Sequence, residues 1–224
     1  MFGMAVIAQT AEEYFDKGSS KIDLKDYQGS ISDYSKVIEL DPSNASAYYN
    51  RAVSKGELKD FRGAILDYSK SIELDPSDAD AYRSRGLAKF KLADYRGAIS
   101  DFNKAIELDP SDADAYRNRG AAKGELKDHR GAISDENKAI ELDPSNANAY
   151  YNRAVSKGEL KDLRGAISDY STAIELDPSD GRAYHNRGID KHTLGDIDGG
   201  CLDLSKSGEL GNSRAYDSIR KLCN

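Results

Sequence analysis

The chain has 224 residues and a formal charge of −7, from 32 Lys and Arg residues against 39 Asp and Glu residues. No basic stripe rises above this acidic background, so we expect no nucleic-acid partner. No apolar run approaches the roughly 20 residues of a membrane-spanning helix.

The first ten residues precede any repeated pattern. Met1–Ala8 is apolar, and Val6-Ile7-Ala8 followed by Gln9 resembles the junction after a secretory signal, although a basic leading region is missing. We therefore predict that residues 1–10 are an apolar arm or a signal-peptide remnant, and the alternative is a frayed, uncleaved start. The same junction favours export from a bacterium, to the periplasm or the extracellular space, with the cytoplasm as the alternative.

A 34-residue repeat occupies most of the remaining chain. The sequence Glu-Leu-Asp-Pro-Ser begins at Glu39, Glu73, Glu107, Glu141 and Glu175. It defines six repeats: 11–44, 45–78, 79–112, 113–146, 147–180 and a weaker 181–212. Repeats 45–78 and 147–180 are duplicates that differ at five positions.

Each repeat has the apolar spacing of two helices. In the third repeat Ala98, Phe102 and Ala105 lie on one helix face, Asp94 is a suitable N-cap, and Pro110 ends the helix. We predict two antiparallel helices per repeat and a capping helix in residues 213–224, thirteen helices in all.

The residues of this pattern resemble the tetratricopeptide repeat family over residues 11–212. The third repeat matches the family's aromatic, small and proline positions with Tyr82, Gly86, Ala98, Phe102, Ala105 and Pro110. In every repeat Tyr stands at position 4, where the family frequently has Trp. The resemblance implies an all-α solenoid of antiparallel helix pairs forming a right-handed superhelix. It also implies a non-enzymatic scaffold for protein–protein interaction, without a cofactor.

The same resemblance places a ligand groove on the concave face, along the first helices. Position 6 of the repeat supplies Asn50, Asn118, Asn152 and Asn186, and position 5 supplies Tyr49, Arg83, Arg117 and Tyr151. We expect the Asn side chains to point to solvent and to bind the backbone of an extended protein segment. The alternative is an ordinary solvated helix face. The family's clamp for a carboxylate tail is absent, because Phe15 and Ser19 occupy its positions.

Charged residues recur at two further positions. Position 7 is Arg in repeats 2–6, and position 23 is Asp in all six. We predict structural ion pairs such as Arg85–Asp101 and Arg119–Asp135, with an anion site as the alternative. If the pairs are exposed, a single Arg51→Ala substitution should cost roughly 0–1 kcal/mol.

The fourth repeat departs from the pattern with His129 and Glu136 at positions that are usually bulky and apolar. Burial of a lone carboxylate is costly, so we expect Glu136 to reach water or a cation. A local defect is one interpretation, and a contact site is the other.

The only two cysteines, Cys201 and Cys223, lie near the C-terminus. They would form a disulfide in an oxidising compartment and remain buried thiols in the cytosol. His185 and His192 are two helical turns apart, which is too far to share a metal unaided, so we expect no metal site. No nucleophile with a matched base and no phosphate-binding glycine loop is recognisable, so we expect no catalysis.

Two functions are consistent with these features. The first is a scaffold that binds a protein or peptide in its groove. The second is a protomer that assembles through its ends into a filament, since an open solenoid can make a heterologous contact that does not close.

Overall fold

In a computed structural model, the backbone of residues 2–223 and the side chains of residues 10–223 are described. The described residues form thirteen helices and no strand, which confirms the all-α class. The helices are α1 (Phe2–Asp23), α2 (Tyr27–Leu40), α3 (Ala45–Glu57), α4 (Phe61–Leu74), α5 (Ala79–Lys91), α6 (Tyr95–Leu108), α7 (Ala113–Glu125), α8 (His129–Leu142), α9 (Ala147–Glu159), α10 (Leu163–Leu176), α11 (Gly181–Thr193), α12 (Ile197–Glu209) and α13 (Ser213–Leu222).

The chain divides into two compact units, Met1–Pro110 and Ser111–Asn224, each built of successive helix pairs. In the N-terminal unit α1 starts at Phe2, so the backbone of residues 2–10 is continuous with the first helix of repeat 1. The apolar side chains of the predicted arm, residues 1–8, lie outside the described residues. The right-handed superhelix stays a prediction.

Side-chain caps begin the helices of each pair. Asp94 accepts a hydrogen bond from the backbone N–H of Gly97, as predicted for an N-cap, and the same Asp-x-x-Gly cap starts every second helix from α2 to α12. A Cβ atom built on Gly97 would lie 2.1 Å from Asp94 Oδ2, so the cap requires glycine there. The turn before each of these helices contains a residue with positive φ. In repeat 6 this residue is Gly195, which adopts positive φ without strain, whereas in repeat 2 it is Lys59, which is strained at φ 64°.

Small residues on the first helix admit a large side chain from the second. A Cβ atom on Gly86 would lie 2.7 Å from the ring of Phe102, which is fully buried. In the duplicated repeats, Ala52 packs with Tyr68 and Ala154 packs with Tyr170. The core is therefore a narrow row of paired small and aromatic residues.

Buried ion pairs join the two helices in each of repeats 2–6, which confirms the predicted Arg–Asp pairs. Arg51 donates to both oxygens of Asp67 at 2.8 and 2.7 Å, and Lys55 Nζ lies 2.6 Å from Oδ2. Arg51 also donates to Ser35 in the preceding repeat. The same bidentate pairs are Arg85–Asp101, Arg119–Asp135, Arg153–Asp169 and Arg187–Asp203.

These pairs are not exposed, so the premise of a mild Arg51→Ala effect is wrong. The Arg51 side chain is 18% exposed and that of Asp67 is 7% exposed. Removing Arg51 would leave the buried Asp67 paired with Lys55 alone, and the loss of the hydrogen bonds from Arg51 to this charged group costs about 2–3 kcal/mol.

The C-terminal helix α13 has the sequence pattern of the first helix of a repeat. Asn212 caps it, and Ala215 and Tyr216 correspond to Ala149 and Tyr150 after the Asn146 cap of repeat 5. A disulfide joins Cys201 on α12 to Cys223, with Cα atoms 5.8 Å apart. The exposed residues of α13 are Ser213, Arg214, Tyr216, Asp217, Arg220 and Lys221, so the helix covers the preceding pair with a surface that is polar except for Tyr216, which is 56% exposed.

Candidate ligand groove

Two adjoining clefts lie along the first helices of the C-terminal unit. The cleft between α7 and α9, about 520 Å³, includes Gly120, His129 and Asn152 in its lining. The cleft between α9 and α11, about 510 Å³, includes Tyr170, Asn186 and Asp190. Val155 and Glu159 on α9 line both clefts, so together they form one groove across three helices.

Two of the predicted Asn residues line this groove and also join successive repeats. Asn152 Nδ2 donates to Glu136 Oε1 at 3.2 Å, and Asn186 Nδ2 donates to the Tyr151 hydroxyl at 3.2 Å. Asn118 is 6% exposed, and its Nδ2 has no hydrogen-bond partner among the described residues. The expectation that the Asn side chains at position 6 point to solvent is therefore wrong for Asn118. It is only partly right for Asn152 and Asn186.

The corresponding residues of the N-terminal unit form a similar bond between repeats. The Tyr49 hydroxyl lies 3.4 Å from Ser84 Oγ, where Ser84 takes the place of the Asn in repeat 3. Asn50 is partly exposed. Position 5 of one repeat thus meets position 6 of the next, because the first helices lie side by side.

The three remaining position-5 residues have partners of their own. Arg83 pairs with Asp80 and Arg117 with Asp114, one helical turn earlier. The guanidinium group of Arg182 lies 4.7 Å from the ring centre of Tyr151. Local carboxylates thus offset both arginine charges.

Glu136 replaces the aromatic residue beneath the α7/α9 cleft. It is fully buried, and its Oε2 has no hydrogen-bond partner among the described residues. Burial raises the pKa of Glu136 to about 9, while the bond from Asn152 and the positive charges of Arg117 and Arg153 act in the opposite direction. The expectation that Glu136 reaches water or a cation is wrong, because the carboxyl group is protonated at neutral pH instead.

Asp190 is a groove residue that sequence reasoning missed. Its carboxylate has no hydrogen bond or salt bridge within the described chain, and burial raises its pKa to about 6. Position 10 is Ser or Ala in each of the other five repeats, for example Ala88 and Ser156. That departure from the repeat was the signal that could have identified Asp190.

The two histidines of α11 contact α13. His185 Nε2 lies 3.0 Å from Ser218 Oγ, and His192 Nε2 lies 3.1 Å from the carbonyl oxygen of Leu222. The described residues contain no group of three or more His, Cys, Asp or Glu side chains suited to a metal ion. None of the described helices is long and apolar enough to cross a membrane.

The fold and the groove define an all-α helical-repeat protein of the kind that binds other proteins. Family models described as TPR repeat match residues 13–59, 54–93 and 90–127, and one described as Tetratricopeptide repeat matches 147–180. The chain belongs to the tetratricopeptide repeat family. A search of curated protein sequences found no match.

Solved structures share this fold. A crystal structure of MamA protein is 26% identical, covers 78% of this chain and 96% of its own, and has a TM-score of 0.71. PilF of Pseudomonas aeruginosa is 17% identical over 96% of this chain and 98% of its own, with a TM-score of 0.82. YrrB, described as a TPR protein with an unusual peptide-binding site, is 23% identical over 84% of this chain and 98% of its own, with a TM-score of 0.68.

Proposed function

We propose that this protein is a non-enzymatic scaffold that binds an extended segment of another protein across α7, α9 and α11. The observation that carries the proposal is the pair of adjoining clefts of about 520 and 510 Å³ that share α9. Each cleft has the volume of an ordinary ligand site, and the shared wall allows one continuous segment to occupy both.

The groove retains hydrogen-bonding capacity for a ligand backbone. Asn152 uses one N–H toward Glu136, and Asn186 uses one toward Tyr151. An Asn side chain has two N–H donors and a carbonyl acceptor, so each keeps at least one further N–H. Such backbone contacts give affinity with little sequence preference.

The experiment is a selection of peptides from a random displayed library, followed by titration calorimetry of a selected peptide. The test variant combines Asn152→Ser and Asn186→Ser, because Ser84 occupies this position in repeat 3. We expect a loss of about thirtyfold in affinity, since each of the two neutral hydrogen bonds contributes about 1 kcal/mol. Ser168→Ala, on the exposed face of α10, is the control. Unchanged binding by the double variant would remove these amides from the function.

We also propose that the protein is exported from the cell's cytoplasm and works in an oxidising compartment. The disulfide between Cys201 and Cys223 is the supporting observation, since such bonds persist outside the reducing cytosol. Quantitative alkylation of the chain purified from its native source tests this. Two free thiols would contradict the proposal.

The exposed surface of α13 is polar apart from Tyr216, which gives the filament alternative little support at the C-terminal end. Sedimentation velocity of the purified chain separates the two functions. A single monomeric species favours the scaffold, and concentration-dependent polymers favour the filament.

A further inference from the structure

The α9/α11 cleft contains a carboxylate that has no hydrogen bond or salt bridge among the described residues. Asp190 lines the cleft and faces Gly158, where a Cβ atom would lie 3.6 Å from Oδ2. The missing side chain of Gly158 leaves the carboxylate open to the cleft. Burial of Asp190 opposes its ionisation, while Lys161 favours it without forming a salt bridge. A poorly solvated carboxylate without a hydrogen-bond donor gains from a donor brought by a ligand.

An aromatic ring lies in the same cleft. Tyr170 is 3% exposed and lines the cleft together with Asp190 and Glu159. A cation in this cleft would lie beside the Asp190 and Glu159 carboxylates and is favoured by their charge. The lining also contains Lys161, which competes with an incoming cation, and His185.

The duplicated repeat supplies an internal comparison. Residues 49–60 of α3 and its following turn are identical to residues 151–162 of α9. The opposite helix differs in charge: α11 carries His185, Asp190 and Thr193, whereas α5 carries Arg83, Ala88 and Lys91 at the same positions. One helix surface therefore faces a carboxylate in the C-terminal unit and cations in the N-terminal unit.

We infer that the α9/α11 cleft binds a lysine or arginine side chain of the ligand segment, with Asp190 as its counter-ion. This inference rests on the proposed function, because the cationic side chain belongs to the segment held in the groove. Asp190 is then a specificity-determining residue that Ala88 lacks in the duplicate.

The test uses peptides of five residues whose N- and C-termini are chemically blocked. Four residues are alanine, and the central residue is lysine, arginine or norleucine, which is an uncharged analogue of lysine. Binding to the ¹⁵N-labelled full chain is followed by NMR at the amides of Gly158 and Ile189. We expect the cationic peptides to bind about tenfold more tightly than the norleucine peptide, the scale of one hydrogen bond to a charged group. Asp190→Ala should abolish that preference, and Lys161→Ala should increase it.

Ala88→Asp introduces the corresponding carboxylate into the duplicate in the N-terminal unit. This variant should bind the cationic peptides there more tightly than the norleucine peptide, as followed by NMR at the amide of Gly56. Equal binding of cationic and norleucine peptides to the unaltered chain would overturn the inference and leave the scaffold function standing. The same holds if Asp190→Ala keeps the preference. If no peptide shifts any groove resonance, binding of extended segments by this groove fails, and the inference fails with it.

Discussion

Replacing Glu136 tests how repeat 4 tolerates a carboxyl group in the core. In the other described repeats its position holds a large apolar or aromatic residue, as in Tyr34 and Phe102. Gly120 faces Glu136 as Gly18 faces the ring of Tyr34, so Glu136→Tyr has a precedent within the chain. Glu136→Gln keeps the shape and the acceptor for Asn152 but does not titrate.

The sign of the pH effect follows from the raised pKa. The pKa of Glu136 is about 9 in the folded chain and near 4.5 when unfolded, so the folded state holds its proton more tightly. The stabilising contribution is complete below pH 4.5 and is lost as pH rises toward 9. Between pH 4.5 and 7 the loss is about 3 kcal/mol, at about 1.4 kcal/mol for each pH unit.

The assay is urea unfolding of the wild type and Glu136→Gln at several pH values from 5 to 8. The stability of Glu136→Gln minus that of the wild type should grow by about 1.4 kcal/mol per pH unit, since other titrating groups cancel in the difference. Glu136→Tyr should exceed the wild type at pH 7 by a few kcal/mol. A difference that is constant with pH would refute a protonated, buried Glu136.

Three further predictions concern stability. Arg51→Ala should lower the free energy of unfolding by about 2–3 kcal/mol, since Lys55 still pairs with Asp67, whereas Lys36→Ala, from an exposed pair, should cost under about 1 kcal/mol; equal losses in urea unfolding would contradict this. Lys59→Gly should raise the melting temperature by relieving about 1 kcal/mol of left-handed strain, and a decrease would argue against it. Reduction of the disulfide should cost about 3 kcal/mol, and Cys201→Ser should make stability insensitive to reductant.

The repeat register made most of the fold predictable. A fixed period places the Asp94 cap, the small residues and the Arg–Asp pairs at the same position each time, so one repeat's geometry applies to the next. Ion pairing within a repeat needs only the spacing of two helices, as in Arg85–Asp101. The thirteen helices in residues 2–223 were expected for the same reason.

The groove was less predictable because its chemistry depends on contacts between repeats. Asn152 and Asn186 donate to side chains of the preceding repeat, and the period of a single repeat does not show that. The protonation of Glu136 depends on complete burial, which the sequence pattern left open. Asp190 is visible only as a departure from the residue found in the other repeats.

The most direct measurement of the central claim is site-specific photocrosslinking. A photoreactive residue at Val155, which lines both clefts, should crosslink to a selected peptide, while the same residue at Ser168, on the exposed face of α10, should not. Mass spectrometry should place the crosslink in the part of the selected peptide that binds across α7, α9 and α11. Crosslinking from Ser168 and not from Val155 would contradict the account, because the ligand would then bind outside the groove.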